Sequence, residues 1–188
     1  MKIFLLTIMM IVVSGCEGRK NDPVEVGYDT VSIKSATTDT IRTTPEVVIP
    51  GLHPDSLLAF ARTLQGIPYL YASTDPSKGF DCSGFITYVF NHFGVSVPRS
   101  SVDFTYYGRE LDLSETRPGD LILFTGTDST VRIVGHMGLI ESIRDSTIYF
   151  IHSTSGKEGL GVVITPFEKY YRSRFVKIIR VLPEEYFE

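Results

Sequence analysis

Apart from Cys16, Cys82 is the only cysteine in the 188 residues, and it stands in the segment GFDCSGF, Gly79 to Phe85. Phe85, Ile86, Val89, Phe90 and Phe93 recur at three and four residues, which predicts a helix over Asp81–Phe93 with Gly94 as its C-terminal stop. Cys82 therefore falls on the first turn. A helix N-terminus carries roughly half a positive charge and several unpaired N–H groups, so a sulfur there is expected to favour the thiolate, the nucleophilic form. Asp81 or Ser83 is placed to cap those donors, and Gly84 leaves room for a substrate backbone.

A nucleophilic thiol needs a base, usually a histidine oriented by a third polar group. Four histidines are available. His53 precedes the first predicted helix, and His92 sits at the far end of the cysteine's own helix, about 15 Å along it at 1.5 Å per residue. His136 and His152 instead lie on predicted strands, in VGHMGL and FIHSTS. Adjacent strands run about 4.8 Å apart, a spacing that suits an imidazole–imidazole hydrogen bond. A sheet packed on the cysteine helix would bring His136 to the sulfur with His152 behind it. The same three side chains could also be a Cys-His-His zinc site. The fourth ligand is missing and there is no close-spaced pair of CxxC or HExxH type, so no metal and no cofactor is expected.

The elements that must position these residues change period along the chain. Leu57, Leu58, Ala61 and Leu64 share a face of a helix capped by Asp55 or Ser56 and ended by Gly66. A short helix is expected over Val102–Tyr107. After it come β-branched or aromatic runs at 119–124, 135–143, 146–153, 161–165 and 175–182, separated by turn residues. Helices first and strands afterwards predict an α+β fold, with N-terminal helices packed on a central antiparallel β-sheet. The length and an apolar fraction of 43% fit one domain, and a net charge of -4 gives no basic footprint for nucleic acid.

The N-terminus has a different character. Lys2, the apolar run Ile3–Val13 and the small residues before Cys16 have the shape of a secretory signal over residues 1–15, too short to span a membrane. VSGC resembles the lipobox of bacterial lipoproteins, which implies a lipidated Cys16 at the head of a polar, flexible tether over residues 16–50. The folded domain is expected over residues 51–188. With Cys16 lipidated, Cys82 has no disulfide partner in the chain, which marks it as a functional thiol.

The segments GIPYLY, GFDCSGF, VPRSS, RPGDLILF, GHMGLI and IHSTS occur in the order and approximate spacing of the NlpC-type cysteine peptidases, papain-like bacterial enzymes of the cell wall. The resemblance covers residues 52 to 182. It implies a papain-like fold with Cys82 as nucleophile, His136 as base and His152 as the residue that orients it. It implies further that Tyr69 stands near the oxyanion. Asp81, Ser83 and either Ser100 or Ser101 would bind the free amine of an L-Ala-γ-D-Glu-diaminopimelate stem. One departure is Ala72-Ser73 in YLYAST, where the family often has two glycines. The expectation is thus a membrane-anchored cysteine endopeptidase of the cell envelope, on the periplasmic or outer-membrane side, that hydrolyses an amide in peptidoglycan stem peptides. The γ-D-glutamyl–diaminopimelate bond is the one implied. The alternatives are a non-catalytic peptidoglycan-binding lipoprotein of the same fold, and a transferase using the same thioester. Oligomeric state is not legible.

Overall fold

A computed structural model describes residues 52–156 and 161–187. The expected signal segment, Cys16 and the tether lie outside the described residues. Among these, no helix is long and apolar enough to cross a membrane.

Two helices open the domain. Helix α1 spans Pro54–Thr63 and buries Leu57, Leu58 and Ala61. Its cap is His53, not Asp55 or Ser56: Pro54 takes the first helical position, where its fixed φ suits the start, and the His53 Nδ1 accepts from the Asp55 N–H at 3.1 Å. A two-stranded ribbon, β1 (Thr74–Asp75) and β2 (Gly79–Phe80), then leads into helix α2 (Cys82–His92). The end of α2 follows expectation, with Gly94 in the left-handed region at φ +76. The short helix expected over Val102–Tyr107 is a 3-10 segment, Ser101–Tyr106.

The chain then builds one antiparallel sheet from β3 (Arg109–Leu111), β4 (Leu121–Thr125), β5 (Val134–Arg144), β6 (Thr147–Thr154), β7 (Gly161–Pro166) and β8 (Phe175–Arg180), in the order β3-β8-β4-β5-β6-β7. The α+β class expected from the change of period is the one found. Side-chain alternation divides the sheet's two faces. Leu121, Leu123, Met137, Leu139 and Ile151 pack with the α1 and α2 core, whereas Ile122, Phe124, Ile140 and Phe150 pack on the other side with Phe167. Over that second face lies a short helix, α3 (Lys169–Arg174), which the sequence pattern does not suggest.

Candidate active site

Asp81 fixes the start of α2. Its Oδ1 accepts from the Gly84 N–H at 2.6 Å, and its carboxylate also takes two bonds from Arg99, at 3.1 and 2.5 Å. Arg99 donates to the Ser83 hydroxyl as well, at 3.1 Å, and the Ser83 hydroxyl donates to Asp81 at 3.2 Å. Two of the residues expected to hold a substrate amine are thus tied into one network beside Cys82, with Arg99 of the VPRSS segment as a member to which the sequence pattern assigns no role. Ser100 and Ser101 follow Arg99 directly at the start of the 3-10 segment, and the Ser100 hydroxyl does not cap it. Gly84 serves another purpose than the one expected. A Cβ there would lie 2.1 Å from the Ser73 carbonyl oxygen, so the glycine admits the chain's own loop, whose Ser73 accepts from the Asp81 N–H at 3.1 Å. In that loop Ala72 adopts φ +58, the left-handed conformation that a glycine would take without strain.

The Cys82 sulfur faces the backbone N–H groups of Ser83, Met137 and its own residue, all of which favour the thiolate. Burial, and then the Asp81 carboxylate, act more strongly in the other direction, so the thiol is pushed up from its ordinary value. The expectation of a resting thiolate is reversed: a helix N-terminus alone does not hold the ion when the sulfur is this enclosed. Tyr69, half-buried and bridged to Phe80, feels burial first and then the fields of Cys82 and Asp81, which raise its phenol and put it in the same neighbourhood.

Met137 connects the sulfur to the histidines. His136 precedes it on β5 and is the cross-strand partner of Phe124, so its ring projects to the face opposite α2. His152 on β6 projects to that same face, 4.6 Å from the Phe150 ring. The paired register of β5 with β6 runs from Leu139↔Ile151 to Arg144↔Thr147 and so stops short of both histidines. At this unpaired end the sulfur meets the strand. The two imidazoles are joined directly, His136 Nε2 to His152 Nδ1 at 2.8 Å. Gly138 makes this possible: a Cβ there would stand 2.6 Å from the Phe150 ring and 3.1 Å from the His152 Cβ. The other nitrogen of His152, Nε2, lies 2.9 Å from the Thr165 hydroxyl on β7. His53 and His92 play structural parts, the first as the α1 cap and the second stacked on Phe60 at 3.7 Å.

Burial sets the charge state of the pair. Cys82 and His136 keep 9% and 8% of their surface exposed, while His152 keeps none. Desolvation, with a secondary contribution from the Arg174 cation, pushes His136 down to about 3, and desolvation, His136 and Arg174 together push His152 well below the histidine range. Arg174 is itself buried, donating to the carbonyls of Gly126 and Thr125 at 2.8 Å each and lying over the Tyr171 ring, which in turn stacks near His136. The resting groups are therefore a neutral thiol at the Met137 N–H and, one residue along β5 at His136, a pair of neutral imidazoles. Such a set can move a proton from sulfur to His136 as the sulfur attacks an acyl carbon, with His152 sharing the charge that forms.

Comparison with known proteins identifies the family. The model of the NlpC/P60 family matches residues 66–180. The γ-DL-glutamyl hydrolase of Bacillus subtilis is 31% identical over 143 residues, covering 75% of this chain but 33% of its own length. The probable endopeptidase NlpC of Escherichia coli is 29% identical over 173 residues, 91% of this chain and 93% of that one. Among solved structures, an NlpC/P60 family protein from Bacillus cereus superposes with a TM-score of 0.62 at 31% identity, over 72% of this chain and 42% of the other.

Proposed function

The chain belongs to the NlpC/P60 family, and from that premise we propose that it is a peptidoglycan hydrolase: a cysteine endopeptidase that cuts an amide in stem peptides, the γ-D-glutamyl–diaminopimelate bond. The observation that carries this reading is the hydrogen-bonded pair His136–His152 beside the strand segment that meets the Cys82 sulfur. A relative named γ-DL-glutamyl hydrolase and another named endopeptidase support the bond class. Because this chain spans a third of the first of these, the bond itself is part of the proposal.

His136 commits Nε2 to His152, which leaves Nδ1 to take the sulfur's proton. The Cys82 sulfur bonds to the acyl carbon as that proton moves to His136. The tetrahedral oxyanion takes donors from the Cys82 N–H and the Tyr69 phenol. Collapse breaks the carbon–nitrogen bond and His136 returns the proton to the leaving amine. Water then attacks the thioester, giving its proton to His136, and the carboxylate product and thiol are released. Asp81, Ser83 and either Ser100 or Ser101 would form the polar wall for a substrate amine, with Arg99 holding Asp81 and Ser83 in place. No cofactor enters. The VSGC segment supports a lipid anchor at Cys16, which would hold the enzyme in the cell envelope.

The test is turnover of sacculi, or of L-Ala-γ-D-Glu-diaminopimelate tripeptide, by the purified chain under reducing conditions, with products read by mass. Release of L-Ala-D-Glu and diaminopimelate, abolished in Cys82→Ala, is expected. Equal cleavage by that variant refutes the reading. The raised Cys82 thiol favours one competitor, a module that binds peptidoglycan without cutting it. It predicts retention on sacculi with no products, unchanged after Cys82 is alkylated.

A further inference from the structure

We propose that Thr165 is a positioning residue: its hydroxyl supplies the acceptor without which the tautomer that leaves His136 Nδ1 bare to act as base is disfavoured. The inference rests on the catalytic roles given above to Cys82, His136 and His152, and adds a fourth member to them.

His152 has no exposed surface, and each of its nitrogens has a partner, Nδ1 with His136 Nε2 at 2.8 Å and Nε2 with the Thr165 Oγ1 at 2.9 Å. The register explains the second contact. Val163 is the cross-strand partner of His152, and Thr165, two residues on, is the partner of Phe150. Thr165 therefore stands diagonal to His152 on the same face of the sheet, within reach of a side chain that crosses the strands.

Two neutral imidazoles joined by one hydrogen bond share a single bridging proton, which leaves two arrangements. In the first, His136 Nε2–H donates to His152 Nδ1, His136 Nδ1 is bare, and His152 carries its own proton on Nε2. In the second, His152 Nδ1–H donates to His136 Nε2, the proton of His136 sits on Nδ1, and His136 cannot take one from the thiol. The first is the competent state, and it places an N–H at His152 Nε2 inside a fully buried ring. That donor needs an acceptor, which Thr165 Oγ1 supplies. In the second arrangement the same hydroxyl donates to the bare Nε2, so with Thr165 present both arrangements are satisfied and the competent one stays open. Without the hydroxyl the competent arrangement leaves a buried N–H unpaired, whereas the other leaves only a lone pair, and unpaired buried donors are the rarer of the two.

Two variants separate this role from packing: Thr165→Val keeps the shape and removes the hydroxyl, and Thr165→Ser keeps the hydroxyl. On the stem tripeptide, Thr165→Val is expected to lower kcat roughly tenfold to a hundredfold, the range set by one unsatisfied buried donor, with KM nearly unchanged. Thr165→Ser should recover most of the loss. Two-bond proton–nitrogen correlation spectra in a Cys82→Ala background read the tautomers directly, without turnover. There His136 Nδ1 should gain protonated character in Thr165→Val relative to the Thr165 protein. Unchanged kcat in Thr165→Val overturns the proposal. So does equal loss in both variants with unchanged nitrogen shifts, the mark of a purely structural role. If the wild-type chain turns over no substrate, the catalytic assignment fails on its own, and the nitrogen spectra alone decide whether Thr165 shifts the tautomer.

Discussion

The neutral histidine pair makes folding stability depend on pH in a window where few other groups act. Desolvation moves His136 from an ordinary 6.5 to about 3 in the folded chain. The folded state then refuses a proton that the unfolded chain accepts, so stability is full above 6.5 and is lost as the pH falls from there toward 3. At about 1.36 kcal/mol per pH unit, His136 alone removes about 2 kcal/mol between roughly pH 7 and pH 5. His152 is shifted in the same direction and adds to the loss. The lowered carboxylates Glu141, Asp128 and Glu184 start from ordinary values of 4.5, 3.8 and 4.5, so their stabilising effect is lost below this window. Urea unfolding at the two pH values measures the effect. With a slope of about 2 kcal/mol per molar, the wild-type midpoint should fall by about 1 M or more. In His136→Gln, an amide that keeps a hydrogen-bonding partner for His152, the fall should shrink by about 1 M. Equal midpoint shifts in wild type and His136→Gln would show that His136 titrates normally in the fold, and the neutral resting site would be wrong.

Two further outcomes follow from the same geometry and from the N-terminal pattern. Gly138→Ala puts a Cβ 2.6 Å from the Phe150 ring and 3.1 Å from the His152 Cβ; we expect a stability loss of about 1–3 kcal/mol by thermal melting, and a fall in kcat that persists well below the melting temperature because His152 is the group displaced. Cys16→Ser, expressed in a host that processes bacterial lipoproteins, should move the chain from the membrane fraction to the soluble one and remove the acyl mass from its N-terminus; membrane retention without that mass would refute the anchor.

Residues whose positions follow from local pattern are legible in the amino-acid sequence. The helix of Cys82 follows from apolar residues at three and four, and the strands carrying His136 and His152 from β-branched runs between turn residues. What escapes such patterns depends on which strands become neighbours. Thr165 is one polar residue at the end of Gly-Val-Val-Ile-Thr, and nothing in that run distinguishes it until β7 pairs with β6 in a register that sets it diagonal to His152. The contacts of Arg99 with Asp81 and Ser83 likewise exist only once the chain after Pro98 folds back onto the start of α2. Helix α3 is six residues long, too short for a period to emerge, and is held by packing over Phe124 and Phe150.

The thiolate expectation fails for a reason that bears on mechanism. Local sequence places the sulfur at a helix N-terminus, but not how deeply it is buried, and burial decides the outcome. The same enclosure that raises the thiol lowers both imidazoles, so the resting site is poised away from an ion pair on both sides of the proton transfer. An attack that separates charge in such a place is favoured only when new donors meet the oxyanion as it forms. The first N–H groups of α2 face the sulfur and Tyr69 lies within its field, so these are the donors that the proposed attack would draw on. Arg174, which donates to two backbone carbonyls and, among the described residues, to no carboxylate, works against protonated histidine at rest and in the proposed mechanism would favour return of the proton to the leaving amine. In the enzyme proposed above, reactivity would thereby be tied to a bound amide, and the enclosed thiol would rest in its less reactive form.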